Sequence, residues 1–374
     1  MRIRVVGGGP GGLYFAILAK RQDPGLEIEV VEQNPDGATY GWGVVFTDGA
    51  IAALAPAAPD VTERITAFQG DVGHMDIVVN GETISVRGSV FHRIGRVELL
   101  GLLQQCAQEA GVRLIFEQRV TTLEDRHAWD LVVGADGVNS VVRDLFTESF
   151  QPEITHSRNW WAWYGTECIF APVSLMFVDD PAGLFIGHAY QYRPNRSGFV
   201  VEIGERTFAS LGFADRADDD SRAYCERVFA DHLGGHRLLS NRSLWFQPKF
   251  VRCEHWVHEN VTLLGDALHT VHPSIGSGTR FAMRDATALA KAVSSCSGNV
   301  QQALEFYEAY RRPIADGFQR AAMRSITWYE DLVGRELPEP NKFALEFIMR
   351  TGRVPFEAFR RDNPELIAAY ERLV

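Results

Sequence analysis

The sequence predicts an α/β fold: a Rossmann-like dinucleotide domain, interrupted by a mixed β-sheet domain and followed by a helical tail. Three observations predict it. Residues 2–6 alternate as a strand, run into Gly7-Gly8-Gly9-Pro10-Gly11-Gly12 and continue as an apolar helix, the opening of a βαβ unit. Short apolar runs at 130–133 and 261–264 read as buried parallel strands. Between 159 and 250 the pattern changes to alternating, aromatic-rich runs typical of an antiparallel sheet.

In chain order, Leu26 to Val31 gives the second strand and ends at Glu32. Leucines and alanines at helical spacing over 95–110 stop at Gly111, and Val112 to Phe116 resumes as a strand. The run 130–133 closes on Gly134-Ala135-Asp136-Gly137. Runs 183–192 and 198–203 are sheet-like, with a helix from Asp218 to Leu233 between them and the next strand. A helix is expected over 281–293, and from about 300 the chain is helical, with a break at Leu337-Pro338-Glu339-Pro340. The expected division assigns 1–70, 96–158 and 251–310 to the dinucleotide domain, 71–95 and 159–250 to a substrate domain, and 311–374 to the tail.

Composition narrows the function. Forty-eight acidic residues against 37 basic ones leave a net charge of −11, which argues against binding nucleic acid or an anionic membrane surface. No apolar run reaches the roughly 18 residues of a membrane span. The five cysteines are scattered without CxxC spacing, so reduced thiols and a cytoplasmic location are expected. His269 and His272 are three apart but lack a further ligand motif, so no metal is expected.

The chemistry begins at Gly7-x-Gly9-x-x-Gly12. The first glycine permits the tight turn, the second lets the backbone approach a pyrophosphate, and the third lets helix and strand pack closely. Glu32, 20 residues after Gly12, stands where a carboxylate accepts ribose hydroxyls. No second such fingerprint exists, so a nicotinamide cofactor, NADH or NADPH, binds only transiently.

Two further motifs, Asp130-(x)3-Gly134-Ala135-Asp136-Gly137-(x)2-Ser140-(x)2-Arg143 and Gly265-Asp266-Ala267-(x)5-Pro273-(x)2-Gly276-x-Gly278, follow in order. With the first, they resemble the fingerprints of the single-component FAD-dependent aromatic-ring monooxygenases of the para-hydroxybenzoate hydroxylase fold, whose cofactor domain is of the glutathione-reductase type. The resemblance covers roughly residues 1–310. It implies bound FAD, with Arg96 near the flavin side chain and Asp136 touching both cofactor regions. Asp266 would hold the ribityl chain, and Gly276 to Gly278 would offer amides to the flavin's pyrimidine end. The chain departs from the family pattern at Arg280, where Asn is common, and at Arg284, where an acid is usual.

A narrower resemblance is to the hydroxylases of salicyloyl-CoA and 2-aminobenzoyl-CoA, with the tryptophan-derivative hydroxylases of violacein synthesis as relatives. It rests on Gly41-Trp42-Gly43-Val44-Val45-Phe46, Asn159-(x)3-Trp163-Tyr164-Gly165-Thr166, His188-Ala189-Tyr190-Gln191-Tyr192 and His272 to Thr279. It implies a small aromatic substrate, best a CoA thioester, hydroxylated with O2 and NAD(P)H by a monomer or homodimer. The product expected from salicyloyl-CoA is 5-hydroxysalicyloyl-CoA. His188 and Tyr190 share one strand face and are the candidate catalytic pair, with Pro273 at the flavin front; Tyr192 is as readily core. Phe46, Trp163, Tyr164 and His272 are candidate substrate contacts, since an aryl group needs flat apolar walls. A free aromatic or indole substrate is the alternative. A flavin-binding redox partner without hydroxylase turnover is the alternative of another class.

Overall fold

The computed structural model describes residues 1–373 except 39–40, 68–72, 89, 216–217, 242, 277 and 297. The boundary expected at 70/71, and Ser277 of the glycine-containing loop, lie outside the described residues.

One sheet has the order Val257–His258, Val261–Leu263, Leu131–Gly134, Arg2–Val6, Glu27–Val31, Arg113–Ile115. All its neighbours are parallel except the outermost pair. A parallel strand covered on both faces is apolar throughout, as the fully buried residues 131–133 illustrate, whereas Arg2–Val6 alternates, with Ile3 and Val5 fully buried and Arg4 paired to Glu29 at 2.8 Å. The helix Pro10–Gln22 is buried continuously from Gly11 to Ala19. It lies between the helices Arg96–Glu109 and Gly278–Ser295, so it has no polar face to display. Strand order reverses on either side of Arg2–Val6. That reversal opens a crevice beyond the carboxyl ends of the strands, the usual ligand position in such sheets.

The second sheet runs Leu238–Leu239, Trp160–Thr166, Arg196–Ile203, Gly183–Arg193, Val173–Asp180, His74–Val79, Glu82–Arg87. Only Val173–Asp180 and His74–Val79 pair in parallel. The strand Phe91–Gly95 pairs instead with Gly43–Thr47, outside this sheet. Part of one face closes over an aromatic core containing Phe185, Phe199 and Phe229.

The tail folds back onto this sheet. Tyr329, at the end of the helix Val300–Glu330, and Phe343 and Phe347 of Pro340–Met349 pack against Ile77 and Phe177. Further on, Asp285 is fully buried and ties three segments together. It accepts from Arg311 Nε at 2.6 Å and from the Gly265 amide at 3.0 Å, and pairs with His269 Nε2 at 2.7 Å. Burial alone raises this carboxyl's pKa, but His269 and Arg311 together hold it below the ordinary value. His269 therefore belongs to a buried ionic clasp. No described helix is long and apolar enough to cross a membrane.

Candidate active site

A cavity of about 900 Å³ runs from the glycine turn, past the first sheet's strand ends, to the second sheet. Its near end is built by the turns that follow the strands Arg2–Val6, Glu27–Val31 and Leu131–Gly134. Gly7 takes φ +107°, and a Cβ there would stand 2.4 Å from the Ala135 carbonyl oxygen. A Cβ on Gly12 would lie 2.2 Å from the Gly7 carbonyl oxygen, so Gly12 seats the helix on the strand behind the cavity wall. Gly9 differs: nothing lies within 4 Å of its Cβ position, and it borders the cavity. No side chain caps this helix, which leaves its first amides open to an anion. Glu32 accepts from the Gly8 amide at 2.8 Å and from the Asn34 amide at 2.8 Å, which fixes its carboxylate at the rim of the turn.

Midway along, Asp136 accepts from Ser140 Oγ at 2.5 Å and from the amides of Val141 and Val142 at 2.7 and 3.1 Å. Its carboxylate thus caps the short helix Val141–Leu145 while bordering the cavity. Burial raises its pKa, against these donors. Asp266 faces the open interior of the cavity yet has protein around it. Those surroundings push its carboxyl up, while Arg96 and then His269 pull it down. Arg96 opens the helix Arg96–Glu109 and lies near both Asp266 and Tyr190. Burial lowers its pKa, and those two groups oppose the shift. Gly276, at φ +57°, and Gly278 border the next stretch with Pro273.

The far end is walled by the second sheet: Trp161, Trp163, His188, Tyr190, Val200 and Phe246. Strand period fixes this choice, because Trp161 and Trp163 lie two apart and point the same way. Tyr190 donates its hydroxyl to the Gly43 carbonyl at 3.0 Å, and Trp42 Nε1 donates to the Trp163 carbonyl at 3.2 Å. Gly165 must be small here, since a Cβ would meet the Trp42 ring at 2.7 Å. These contacts dock segment 41–46 on the sheet. Burial pushes the Tyr190 phenol well above its ordinary range, so it serves as a donor at neutral pH.

His188 stacks on Trp161, ring centroids 5.0 Å apart, and pairs through Nε2 with Glu202 Oε2 at 3.1 Å. Glu202 is fully buried and also accepts from Asn159 Nδ2 at 2.8 Å. With Nε2 engaged, Nδ1 is the ring nitrogen left for a ligand.

Three expected substrate contacts lie elsewhere. Tyr164 is fully buried in the aromatic core on the opposite face of its strand, because one step along a strand reverses the side chain. Phe46 is buried in the core of the first domain, and the neighbouring Val44 and Val45 border the cavity instead. His272 lies behind the wall, edge-on to Trp161 at 5.2 Å, with its Nδ1 accepting from the Ser274 amide at 3.2 Å. Its Nε2 is buried without a hydrogen-bond partner, and burial lowers its pKa to about 4. Sequence reasoning missed Trp161, Val200, Phe246 and Glu202. The legible signal for Glu202 was a carboxylate inside Phe199-Val200-Val201-Glu202-Ile203, an apolar strand with no place for an unpartnered charge.

Cradle, acidic rim and aromatic chamber fit FAD. The open space at Gly9 would receive its diphosphate, Glu32 would face its adenosine ribose, and Asp266 with Arg96 would flank its central chain. The site is that of a flavoprotein. The chain matches the FAD binding domain family over residues 107–322 and the NAD(P)-binding Rossmann-like domain family over residues 5–50. It is 35% identical to salicyloyl-CoA 5-hydroxylase of a Streptomyces species, over 94% of this chain and 70% of that one. It is 36% identical to 3-hydroxy-4-methyl-anthranilyl-[aryl-carrier protein] 5-monooxygenase of Streptosporangium sibiricum, covering 89% and 90%. To protodeoxyviolaceinate monooxygenase of Chromobacterium violaceum it is 32% identical, covering 95% and 96%. Among solved structures, 2-methyl-3-hydroxypyridine-5-carboxylic acid oxygenase superposes with TM-score 0.71 at 19% identity, covering 94% and 93%. The chain belongs to the FAD-dependent aromatic monooxygenases. It binds FAD and draws reducing equivalents from NAD(P)H.

Proposed function

We propose that the chain hydroxylates the ring of an ortho-hydroxy- or ortho-aminobenzoyl-CoA thioester, salicyloyl-CoA before 2-aminobenzoyl-CoA, para to the donor group. The balance is one thioester, one O2, one NAD(P)H and one proton to hydroxylated thioester, water and NAD(P)+. The observation that carries this reading is the His188–Glu202 pair in an aromatic-walled chamber. Relatives named for a CoA-bound and a carrier-bound ortho-substituted benzoyl substrate support it.

FAD, when bound, supplies hydride uptake and the activation of O2 for electrophilic transfer. The chain's residues prepare the ring. Trp161 and Trp163 give the aryl plane an apolar wall and exclude water. His188 Nδ1 accepts the hydrogen bond of the substrate's phenol and takes its proton as charge moves into the ring. Glu202 holds the imidazole in the tautomer that leaves Nδ1 unprotonated. Loss of that proton raises electron density para to the oxygen, at the carbon hydroxylated. Tyr190, committed to the Gly43 carbonyl, keeps segment 41–46 in place.

Steady-state comparison of salicyloyl-CoA, free salicylate and tryptophan derivatives tests the substrate. The thioester is expected to give the largest kcat/KM with hydroxylated product. Equal or better turnover of free salicylate or an indole overturns the assignment.

A further inference from the structure

Four arginines converge beside the flavin-front end of the cavity. Arg280 and Arg284 occupy the first two turns of the helix Gly278–Ser295, four residues apart, with no acidic residue in its first turn. Like charges at that spacing repel, and cations at a helix N-terminus meet the positive end of the dipole. From the segment after helix Pro340–Met349, Arg353 lies 3.7 Å over the Phe318 ring, on which Arg280 also sits at 4.9 Å. Arg324 donates through Nε to the Thr351 carbonyl at 2.9 Å, and its guanidinium lies 3.4 Å from a Cβ position on Gly352. Burial first, then Arg353 and Arg284, lower the Arg280 pKa to about 10. Burial, Arg324 and Arg284 lower that of Arg353.

No described carboxylate forms an ion pair with Arg284, Arg324 or Arg353, whereas Arg158 and Arg222, each a single arginine, are both paired to two carboxylates. In a chain of net charge −11 this local concentration of cations is an electrostatic cost that a bound polyanion offsets. Its place is also specific. Gly278 and Thr279, immediately before Arg280, border the cavity, and Arg280 Nη1 donates to Thr47 Oγ1 at 3.4 Å. Arg350 donates to the Ser274 carbonyl at 3.1 Å, which joins the segment leading to Arg353 to the cavity's loop. Arg324 and Arg353 are exposed and can receive a ligand from solvent.

We propose that Arg280, Arg284, Arg324 and Arg353 form a binding site for a phosphorylated nucleoside diphosphate. The occupant is the 3′-phospho-ADP end of a CoA thioester whose aryl group enters the chamber. Guanidinium forks match phosphate oxygens in pairs, which explains arginine rather than lysine at each position. The identity of the occupant rests on the thioester reading above; the same chemistry would also take the ADP moiety of NAD(P)H.

The test uses FAD-loaded wild type and the R284A/R353A double variant, with Arg353→Lys as a charge-retaining control. Calorimetry with adenosine 3′,5′-bisphosphate reads the site without turnover. Binding by wild type, weakened about tenfold or more in the double variant and less in Arg353→Lys, is expected. In turnover, the KM for salicyloyl-CoA rises by a similar factor, while the KM values for salicyloyl-pantetheine and NAD(P)H do not move. Bisphosphate binding that ignores both arginines overturns the site. A KM rise confined to NAD(P)H overturns the CoA assignment. If wild type turns over no thioester but still binds the bisphosphate through these arginines, the substrate reading fails and the phosphate site stands.

Discussion

Alanine at Gly9 and alanine at Gly12 separate cofactor contact from folding. Gly9 has φ −75° and ψ 175°, a conformation alanine adopts freely, and its added methyl meets no atom within 4 Å. Gly9→Ala therefore leaves the apoprotein's stability unchanged, or raises it by about 0.4–1 kcal/mol through the unfolded chain. The same methyl stands in the cavity at an uncapped helix N-terminus, where phosphate oxygens accept amide hydrogen bonds. Losing one charge-assisted bond costs about 1.5–3 kcal/mol, a rise in the FAD Kd of roughly ten- to a hundredfold. At Gly12 the methyl falls 2.2 Å from a carbonyl oxygen and 3.1 Å from side chains of Val5 and Ala135. Helix and strand must separate, at about 3 kcal/mol or more. Urea denaturation of the apoproteins and fluorescence titration with FAD measure both quantities. Wild-type FAD affinity in Gly9→Ala, or equal destabilisation by the two substitutions, refutes the division of labour.

Glu202→Gln keeps shape but reverses the hydrogen bond to His188, placing a proton on Nδ1; kcat with a phenolic thioester falls by about 10²–10⁴ while the FAD Kd holds. A kcat and pH profile unchanged from wild type would remove the dyad from the mechanism. Tyr164→Phe leaves kcat and KM at wild-type values, because the side chain faces the aromatic core, whereas Trp163→Ala raises the substrate KM; steady-state kinetics that reverse this ranking contradict the strand phase. His272 stays neutral when folded down to about 4, against 6.5 unfolded, so the unfolded chain gains a proton that the native state refuses. Stability therefore drops as pH falls from 6.5 toward 4, by about 3 kcal/mol in all, and this contribution is constant below that window. Urea midpoints across the range should lose much of this slope in His272→Asn, and an unaltered slope would count against it.

What the sequence made legible was local. The glycine turn, its helix and Glu32 lie within one βαβ unit, so spacing alone located the turn and carboxylate that border the cavity. The same holds for the strands at 130–133 and 261–264 and for the helical tail. What escaped depended on pairing between distant segments. Trp161, rather than Tyr164, reaches the chamber because of strand phase, and one residue's shift exchanges the two faces. Phe46 turned inward because Gly43–Thr47 pairs with Phe91–Gly95, a partner that no local pattern announced. Glu202 meets His188 diagonally across two strands, since His188 pairs with Val200 and Ile186 with Glu202. The arginines drawn together around Phe318 come from segments some seventy residues apart, from Arg280 to Arg353, and in sequence they look scattered.

Under the proposed function, this chamber delivers one atom of dioxygen to the ring of an ortho-substituted benzoyl thioester. Turnover of salicyloyl-CoA under isotopically labelled dioxygen, with mass analysis of the product and a peroxide assay, tests it directly. One labelled oxygen is expected on the ring carbon para to the hydroxyl, with NAD(P)H consumption matched to product. NAD(P)H oxidation that yields hydrogen peroxide and returns the thioester unlabelled would contradict it.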